Sequence, residues 1–464
     1  MAELRLDQIA KRTRGRIVQG DSSIVFSRFN IDSRRTQPGE LFFALVARRD
    51  GHDFVGDAHA RGAAGAVISK DISYRRPDFS LIRVDDTTVA LQELAQSVLA
   101  DQPVKVVGIT GSIGKTTTKE FTASLLGQEL RVLKSEANYN NLLGLALSIL
   151  KLEPAHEVAV LEMGMSGRGE IRELTKLAPP DIAVITNVSP VHLQFLGSLE
   201  EIARAKKEIL EGTKQGGLAV LNGDDPWVSQ IGRDWTGPKL TFGFAATCDV
   251  RALRIERKGY EGMVIELALK SAGEKRKVHF PFFYEDYVYN LLAAVGVSQA
   301  LGLSTEAVLQ AVPLLRPFDR RGTLLELPSS IKLIDDSYNS NPRALASALK
   351  SLSELPARRK VAVLGDMLEL GEKENDFHFQ AGQDAVRFGW NFLITVGERS
   401  LHLAEGARRA GLAPQNIRSF ASAEEASTVV FSLLREGDLV LVKGSRAMSM
   451  ELIVERLKSA AEEG

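Results

Sequence analysis

A chain of 464 residues has room for about three domains of roughly 150 residues each. Its 58 Lys and Arg nearly balance 59 Asp and Glu, so net charge draws it neither to nucleic acid nor to an anionic membrane, and small-molecule partners are expected. Its single cysteine, Cys248, excludes an internal disulfide and a thiolate metal cluster and fits a reducing compartment.

The opening MAELRLDQIAKRTRGR has no apolar core of the signal-peptide kind. The longest apolar stretches, such as Leu142 to Leu152, are too short to span a bilayer, and a cytosolic protein is expected. A helix is predicted over Leu6 to Lys11, with strands around Ile24 to Asn30 and Leu41 to Ala44 and the polar turn of IDSRRTQPGELFFAL between them. Ala58 to Ala64 reads as helix, Ala66 to Ser69 and Ser80 to Val84 as strands, and together they make a small α/β unit. Thr87 to Asp101 is an amphipathic helix closed by Pro103, which puts a domain boundary between Val84 and Pro103.

From Val104 the pattern alternates strand and helix. Val106 to Ile109, Val158 to Glu162, Ile182 to Thr186 and Leu218 to Leu221 read as buried parallel strands separated by crossover helices. Asp249 to Phe280 reads as antiparallel strands, Tyr289 to Leu301 and Thr305 to Ala311 as helices, and Pro313 to Pro317 as the next boundary. Ile331 to Asp335, Arg359 to Leu364, Phe392 to Val396 and Leu439 to Lys443 alternate with helices in a last doubly wound unit. The fold class is therefore α/β in three domains. They are a small α/β domain over 1–86, a central parallel-sheet P-loop domain with an antiparallel subsheet over 87–314, and a Rossmann-like α/β domain over 315–464.

The chemistry concentrates in VVGITGSIGKTTTKE, from Val106 to Glu120, where a β-branched run stops at a glycine-rich turn and a helix begins. Backbone N–H groups of Gly111 to Thr116 would face an anion, Lys115 would neutralise phosphate charge, and the Thr116 hydroxyl would reach a magnesium ion, so that Gly111, Ser112, Gly114, Lys115, Thr116 and Thr117 make the candidate ATP-binding set. The eight-residue P-loop pattern requires glycine six residues before the lysine, but Ile109 stands there. The shorter GxxGKT favours amide-forming ligases over kinases, GTPases and transport ATPases. A parallel sheet binds ligands beyond its carboxyl strand ends, and three polar clusters fall there: the loop at Gly111, Glu162-Met-Gly, and Asn187 to His192.

Thr116 and Glu162 with phosphate oxygens make a hard-cation site, to which the imidazole of His192 would be a minority ligand. Taken alone, Glu162 also reads as a solvated strand-end carboxylate and His192 as a structural histidine. In EEIARAKKEILEG, Lys206 lies one turn after Ile202 and one before Leu210, on the apolar side, whereas Lys207 points outward. An inward lysine is costly unless paired, neutralised or modified; the alternative is a lysine whose head snorkels to solvent.

The chain resembles the Mur ligase family. The segments that carry the resemblance are IDSRRTQPGELFFAL with DGHDF, TGSIGKTTTKE, NYNNLLG, LEMGMSGRGEI, TNVSPVHLQFLGSLEEIARAKKEI, NGDDP, IDDSYNSNP, LGDMLELG followed by His378, and LVKGSRAM. The resemblance implies an ATP-dependent ligase that adds D-alanyl-D-alanine to UDP-N-acetylmuramoyl-tripeptide through an acyl phosphate, with two magnesium ions, in the bacterial cytoplasm; a monomer is expected because no exposed heptad or long apolar surface helix stands out. It makes Lys115, Lys206, His192 and Glu162 the catalytic set. On the same resemblance Lys206 would be carbamylated by carbon dioxide and hold the second magnesium with His192, while Glu162 and Thr116 would stand at the metal and phosphates. Asn290, Arg321 and Asp336 would contact the nucleotide. Ser33, Arg34, Gly51, His52 and Asp53 would line the uridine pocket, and Asn138, Asn140, Asn141, Asn339 and Asn341 would bind substrate.

Three positions depart from the family pattern. Ile113 replaces a small or polar loop residue, NYNNLLGLAL lacks the proline usual after its glycine, and YEDYVYN from Tyr284 to Asn290 puts Tyr287 where an asparagine is usual. The last implies an altered adenine contact or a tyrosine stack there. Two rival readings are a sister ligase, either the enzyme adding the third residue or a folylpolyglutamate synthase, and, from another class, a P-loop switch or motor that hydrolyses ATP alone or a catalytically weakened binding protein.

Overall fold

The structure, a computed structural model, describes residues 3–136, 139–190, 196–270, 273–318 and 320–463. The chain divides into two compact units. One comprises Met1–Thr186, Ala203–Leu240 and Ala293–Leu303, and the other comprises Asn187–Ile202, Thr241–Leu292 and Ser304–Gly464.

The first unit begins with a five-stranded sheet in the order Arg16–Gln19, Ser80–Arg83, Gly65–Ile68, Leu41–Phe43, Phe29–Asn30, in which Arg16–Gln19 alone runs antiparallel to its neighbour. Phe42, Ala66, Ile68, Phe79 and Leu81 pack against Val55 and Ala58 of the helix Val55–Ala60. Helix Thr87–Ala100 follows, capped by Asp86, whose carboxylate accepts the Thr88 and Val89 N–H groups. The unit then builds parallel strands in the order Leu218–Asn222, Ile182–Ile185, Lys105–Thr110, Val158–Glu162, Val132–Lys134. Every residue of Val158–Glu162 and Ile182–Ile185 is buried, as a parallel sheet covered on both faces requires.

The second unit contains an antiparallel meander, Val250–Arg257, Met263–Leu269 and Glu274–Phe280, and the helix Asp286–Ala300 begins in it. It also holds a six-stranded sheet in the order Thr323–Leu327, Ile331–Asp336, Asp438–Lys443, Arg359–Gly365, Phe392–Val396, Ile417–Phe420, parallel except for its first hairpin. Among the described residues no helix is long and apolar enough to cross a membrane.

The alternating α/β reading is borne out, with local corrections. Besides the two-residue strand Leu4–Arg5 and the strand Lys239–Gly243, which lies inside its sheet, four strands were not predicted: Arg16–Gln19, Val132–Lys134, Thr323–Leu327 and Ile417–Phe420. Each of these four is the edge strand of its sheet, half exposed and therefore without the continuous apolar run that marks a central strand. The predicted strand Ile24 to Asn30 splits in two because Val25–Phe26 pairs with Leu4–Arg5 while Phe29–Asn30 pairs with Leu41–Phe42. The helix predicted over Ala58 to Ala64 lies earlier, over Val55–Ala60, and is ended by Gly62 at φ 101°. The helix predicted from Tyr289 begins three residues sooner, at Asp286.

Candidate active site

Strand Lys105–Thr110 ends at Gly111, and helix Lys115–Leu126 starts after Gly114, whose φ of 84° is a left-handed conformation that glycine adopts without a Cβ penalty. The loop is closed from the neighbouring strand end: the Thr186 hydroxyl donates to the Ile113 carbonyl at 2.7 Å, and Asn222 Nδ2 donates to the Thr186 carbonyl at 2.8 Å. A Cβ on Gly111 would stand 1.8 Å from Thr186 Oγ1, so glycine is required for this close approach. Lys115 bends back over the loop and donates to the Gly111 carbonyl at 2.9 Å. Ser112 and Thr117 are buried; Thr116 is half-buried in the first turn of the helix. The N-terminal amides of that helix and the ammonium of Lys115 form a positive, glycine-lined cradle of the kind that receives phosphate.

Glu162 ends the strand beside this loop and is 2% exposed. Asn140 Nδ2 donates to its Oε1 at 2.9 Å, and Asn140 is in turn held by the Gly164 N–H at 2.8 Å. Among the described residues Oε2 has no hydrogen-bond partner and is buried. A buried carboxylate oxygen left without a donor suits a hard cation, which is the donor chemistry magnesium requires.

Lys206 lies in helix Leu199–Glu211 and is 1% exposed, which bears out its inward assignment, while Lys207 stands at the surface, 2.6 Å from Asp234. Among the described residues no carboxylate pairs with Lys206. Burial first, and the like charge of Lys115 second, lower its pKa well below the ordinary lysine value. The same helix presents Glu208 to the Gly169 and Arg172 N–H groups at 2.8 and 3.1 Å, fixing it against the start of helix Glu170–Leu177. His192 and Asn138 lie outside the described residues. Among the described residues there is no group of three or more His, Cys, Asp or Glu side chains arranged to hold a metal.

In the second unit Asp336 ends strand Ile331–Asp336. Its Oδ2 accepts from Lys443 Nζ at 2.6 Å and from the Tyr284 hydroxyl at 3.3 Å. Burial raises the Asp336 pKa above its ordinary value although Lys443 opposes the rise. The Arg321 guanidinium stacks over the Tyr338 ring at 4.0 Å. Tyr287, at the departure from the family pattern, donates its hydroxyl to the Arg321 carbonyl at 3.4 Å and packs edge-on against Tyr284 at 5.1 Å. Asn290 is buried in the helix that follows.

Several expected binding residues serve local structure. Asn141 caps helix Leu142–Ile149 through the Gly144 N–H, and Asn341 caps helix Pro342–Ser353 through the Ala344 N–H, each at 2.9 Å. Asn339 is exposed; its Oδ1 accepts the Ser340 N–H at 2.8 Å and its carbonyl accepts Lys443 at 3.0 Å. His52 is buried with both ring nitrogens used: Nδ1 lies 2.6 Å from Asp50 Oδ1, and the Ser69 N–H donates to Nε2 at 2.8 Å. Lys70 and the His52 donors hold the Asp50 carboxyl below the usual carboxylate range. Gly51 packs against Leu45, where a Cβ would meet the Leu45 carbonyl at 2.5 Å. Asp53 and the Arg34 side chain are exposed, the latter paired to Asp32 at 2.8 Å, and Ser33 is buried in the turn that Asp32 caps. The sequence reading missed Thr186, Ser135 and Lys119 in the first unit and Tyr284 and Lys443 in the second. Lys443 carried a signal, since a lysine ending an apolar strand beside GlySerArg has no packing reason to be there.

Residues 109–298 match the family model for the Mur ligase middle domain, and residues 320–446 match that for the Mur ligase glutamate ligase domain. The chain is 34% identical over 428 residues to the UDP-N-acetylmuramoyl-tripeptide--D-alanyl-D-alanine ligase of Bacillus subtilis (strain 168), covering 92% of each chain. It is similar in structure to MurF from Acinetobacter baumannii, with a TM-score of 0.89 at 29% identity over 99% of both chains. It is also similar to the MurF ligase of Thermotoga maritima in complex with ADP, with a TM-score of 0.81 at 28% identity over 94% of this chain and 98% of that one. The phosphate loop, the buried carboxylate beside it and these matches agree: the chain belongs to the Mur ligase family.

Proposed function

We propose that this chain is the ligase that joins D-alanyl-D-alanine to UDP-N-acetylmuramoyl-tripeptide at the expense of ATP, in bacterial peptidoglycan precursor synthesis. What carries the reading is the match to ligases of that name along nearly the whole chain. We assign 1–86 to the uridine nucleotide, 87–314 to ATP and 315–464 to the dipeptide, and the reaction to the cytoplasm, where ATP is supplied.

The chemistry follows from the groups. A carboxylate oxygen is a poor leaving group, so the tripeptide carboxylate first attacks the γ-phosphorus of ATP, releasing ADP and forming an acyl phosphate. The dipeptide amine then attacks the acyl carbon, loses a proton and expels inorganic phosphate. Lys115 and the amides after Gly111 hold the phosphates in line and offset the charge gathered when a carboxylate meets a triphosphate. Thr116, Glu162, His192 and a carbamate on Lys206 would hold magnesium, which would supply further charge neutralisation. The orphaned Glu162 Oε2 supports that assignment, and the burial of Lys206 supports the carbamate, because only a neutral amine adds carbon dioxide. We assign Asn290, Arg321 and Asp336 to the nucleotide. Ser33, Arg34 and the Gly51 to Asp53 turn go to the uridine moiety, with His52 as the internal brace of that turn. We assign Asn138, Asn140 and Asn141 to the substrate cleft, and Asn339 and Asn341 to substrate, the two capping asparagines through the loops they fix.

The test is ADP release measured with each substrate withheld in turn. Release that requires both the nucleotide-linked tripeptide and D-alanyl-D-alanine supports the reading. Release with ATP alone overturns it in favour of a switch or motor.

A further inference from the structure

The phosphate helix carries a second lysine that the chemistry above leaves unused. Lys119 is one turn beyond Lys115 and is fully buried, at 0% exposure. Its Nζ donates to the Ser135 carbonyl at 2.7 Å, and Glu120 Oε1 lies 3.2 Å away. Glu120 is also paired to Lys134, so one carboxylate is shared between two ammonium groups. A buried ion pair seldom gains stability over apolar packing of the same volume, so its presence here calls for a reason other than core stability.

Ser135 supplies that reason. Strand Val132–Lys134 ends with Lys134 opposite Val160, two residues before Glu162. Ser135 continues the ladder in altered form: its N–H donates to the Val160 carbonyl at 3.1 Å, and its hydroxyl accepts the Glu162 N–H at 3.0 Å. The backbone of Glu162 is therefore fixed by one side chain, and that residue's carbonyl is fixed by Lys119. On its other side Glu162 is fixed by Asn140, which leaves Oε2 buried and without a partner among the described residues.

We infer that Lys119 and Ser135 are positioning residues that tie the phosphate-binding helix to the Glu162 carboxylate, so that the phosphate cradle and the cation-facing oxygen keep one spacing. The inference rests on reading Glu162 as the magnesium-facing carboxylate. Neither residue touches a reacting atom; both act through Glu162.

The experiment measures manganese binding to the ADP-bound protein by electron paramagnetic resonance, together with ADP affinity in chelator, for Ser135→Ala, Lys119→Met, the double variant and Glu162→Gln. Residues that orient a metal ligand typically contribute 10-fold to 100-fold to metal affinity. Ser135→Ala and Lys119→Met should each weaken manganese binding about tenfold while metal-free ADP affinity stays within about twofold, and the double variant should be no weaker than the worse single one, as members of one chain of contacts behave. A merely structural role would lower thermal stability and leave the manganese affinity of the folded protein untouched. Should Lys119→Met fail to fold, Ser135→Ala decides alone. If Glu162→Gln weakens manganese binding and Ser135→Ala does not, the positioning link is wrong. If Glu162→Gln itself changes nothing, the link falls with the assignment of Glu162 on which it rests.

Discussion

Lys443 Nζ and Asp336 Oδ2 meet at 2.6 Å across 107 residues of sequence, at the ends of two neighbouring parallel strands, with both side chains buried. Lys443 also donates to the Asn339 carbonyl at 3.0 Å, and Tyr284 donates to the same carboxylate oxygen from outside the sheet. The SerTyrAsnSer turn is thereby pinned to the strand that ends in LysGlySerArg.

Removing one partner of a buried pair costs about 3–5 kcal/mol because the other is left uncompensated. Lys443→Met should therefore lower stability by roughly that amount near neutral pH. The folded pKa of Asp336 is raised above 3.8 by burial, so the group's contribution is fully present below 3.8 and lost as pH rises through the folded value. Without Lys443 the folded value rises further. The loss in Lys443→Met, read from urea unfolding, should be largest at neutral pH and shrink on acidification; a loss independent of pH would count against an ionised Asp336.

Gly111→Ala should damage nucleotide binding without a change of charge. The added methyl meets Thr186 Oγ1 at 1.8 Å and sits at a φ of 153°, so either the loop opens or the Thr186 bond to Ile113 breaks. Backbone strain of this kind costs about 1–3 kcal/mol, which corresponds to a roughly tenfold to hundredfold loss of ADP affinity in an equilibrium titration.

His378 should make the second unit sensitive to mild acid. The Met367 N–H donates to its Nε2 at 2.9 Å and its Nδ1 donates to the Glu374 carbonyl at 2.7 Å, so the neutral ring is the one that fits. Burial lowers its folded pKa below 6.5. The unfolded chain takes up a proton below 6.5 and the folded chain does not, so stability present above 6.5 is lost as pH falls, by roughly 1.4 kcal/mol per unit until the folded value is reached. The shift in urea midpoint between pH 7.5 and 5.5 should be smaller in His378→Asn.

Lys206→Ala should lose most ligase activity and regain part of it in acetate or another short carboxylate, which fills the space of the carbamate. Lys207→Ala should change little, since that side chain pairs with Asp234 at the surface. Equal losses in both variants with no rescue would remove Lys206 from the reaction.

The sequence alone determined the order of the α/β units, the phosphate loop, the carboxylate at the end of Val158 to Glu162 and the inward face of Lys206. Those features are local: a period of 3.6 or 2, a glycine where φ is positive, a polar residue where an apolar strand stops. The edge strands escaped it because half-exposed segments such as Val132–Lys134 carry no such pattern and exist through their neighbours. Only the tertiary structure decided that Thr186 closes the loop of Gly111, that Asn141 and Asn341 are helix caps, that His52 is a brace, and that Lys119, Ser135 and Glu162 form one line of contacts. Each of these is a hydrogen bond whose partner is chosen by packing, and sequence spacing does not encode which strand end will stand beside which.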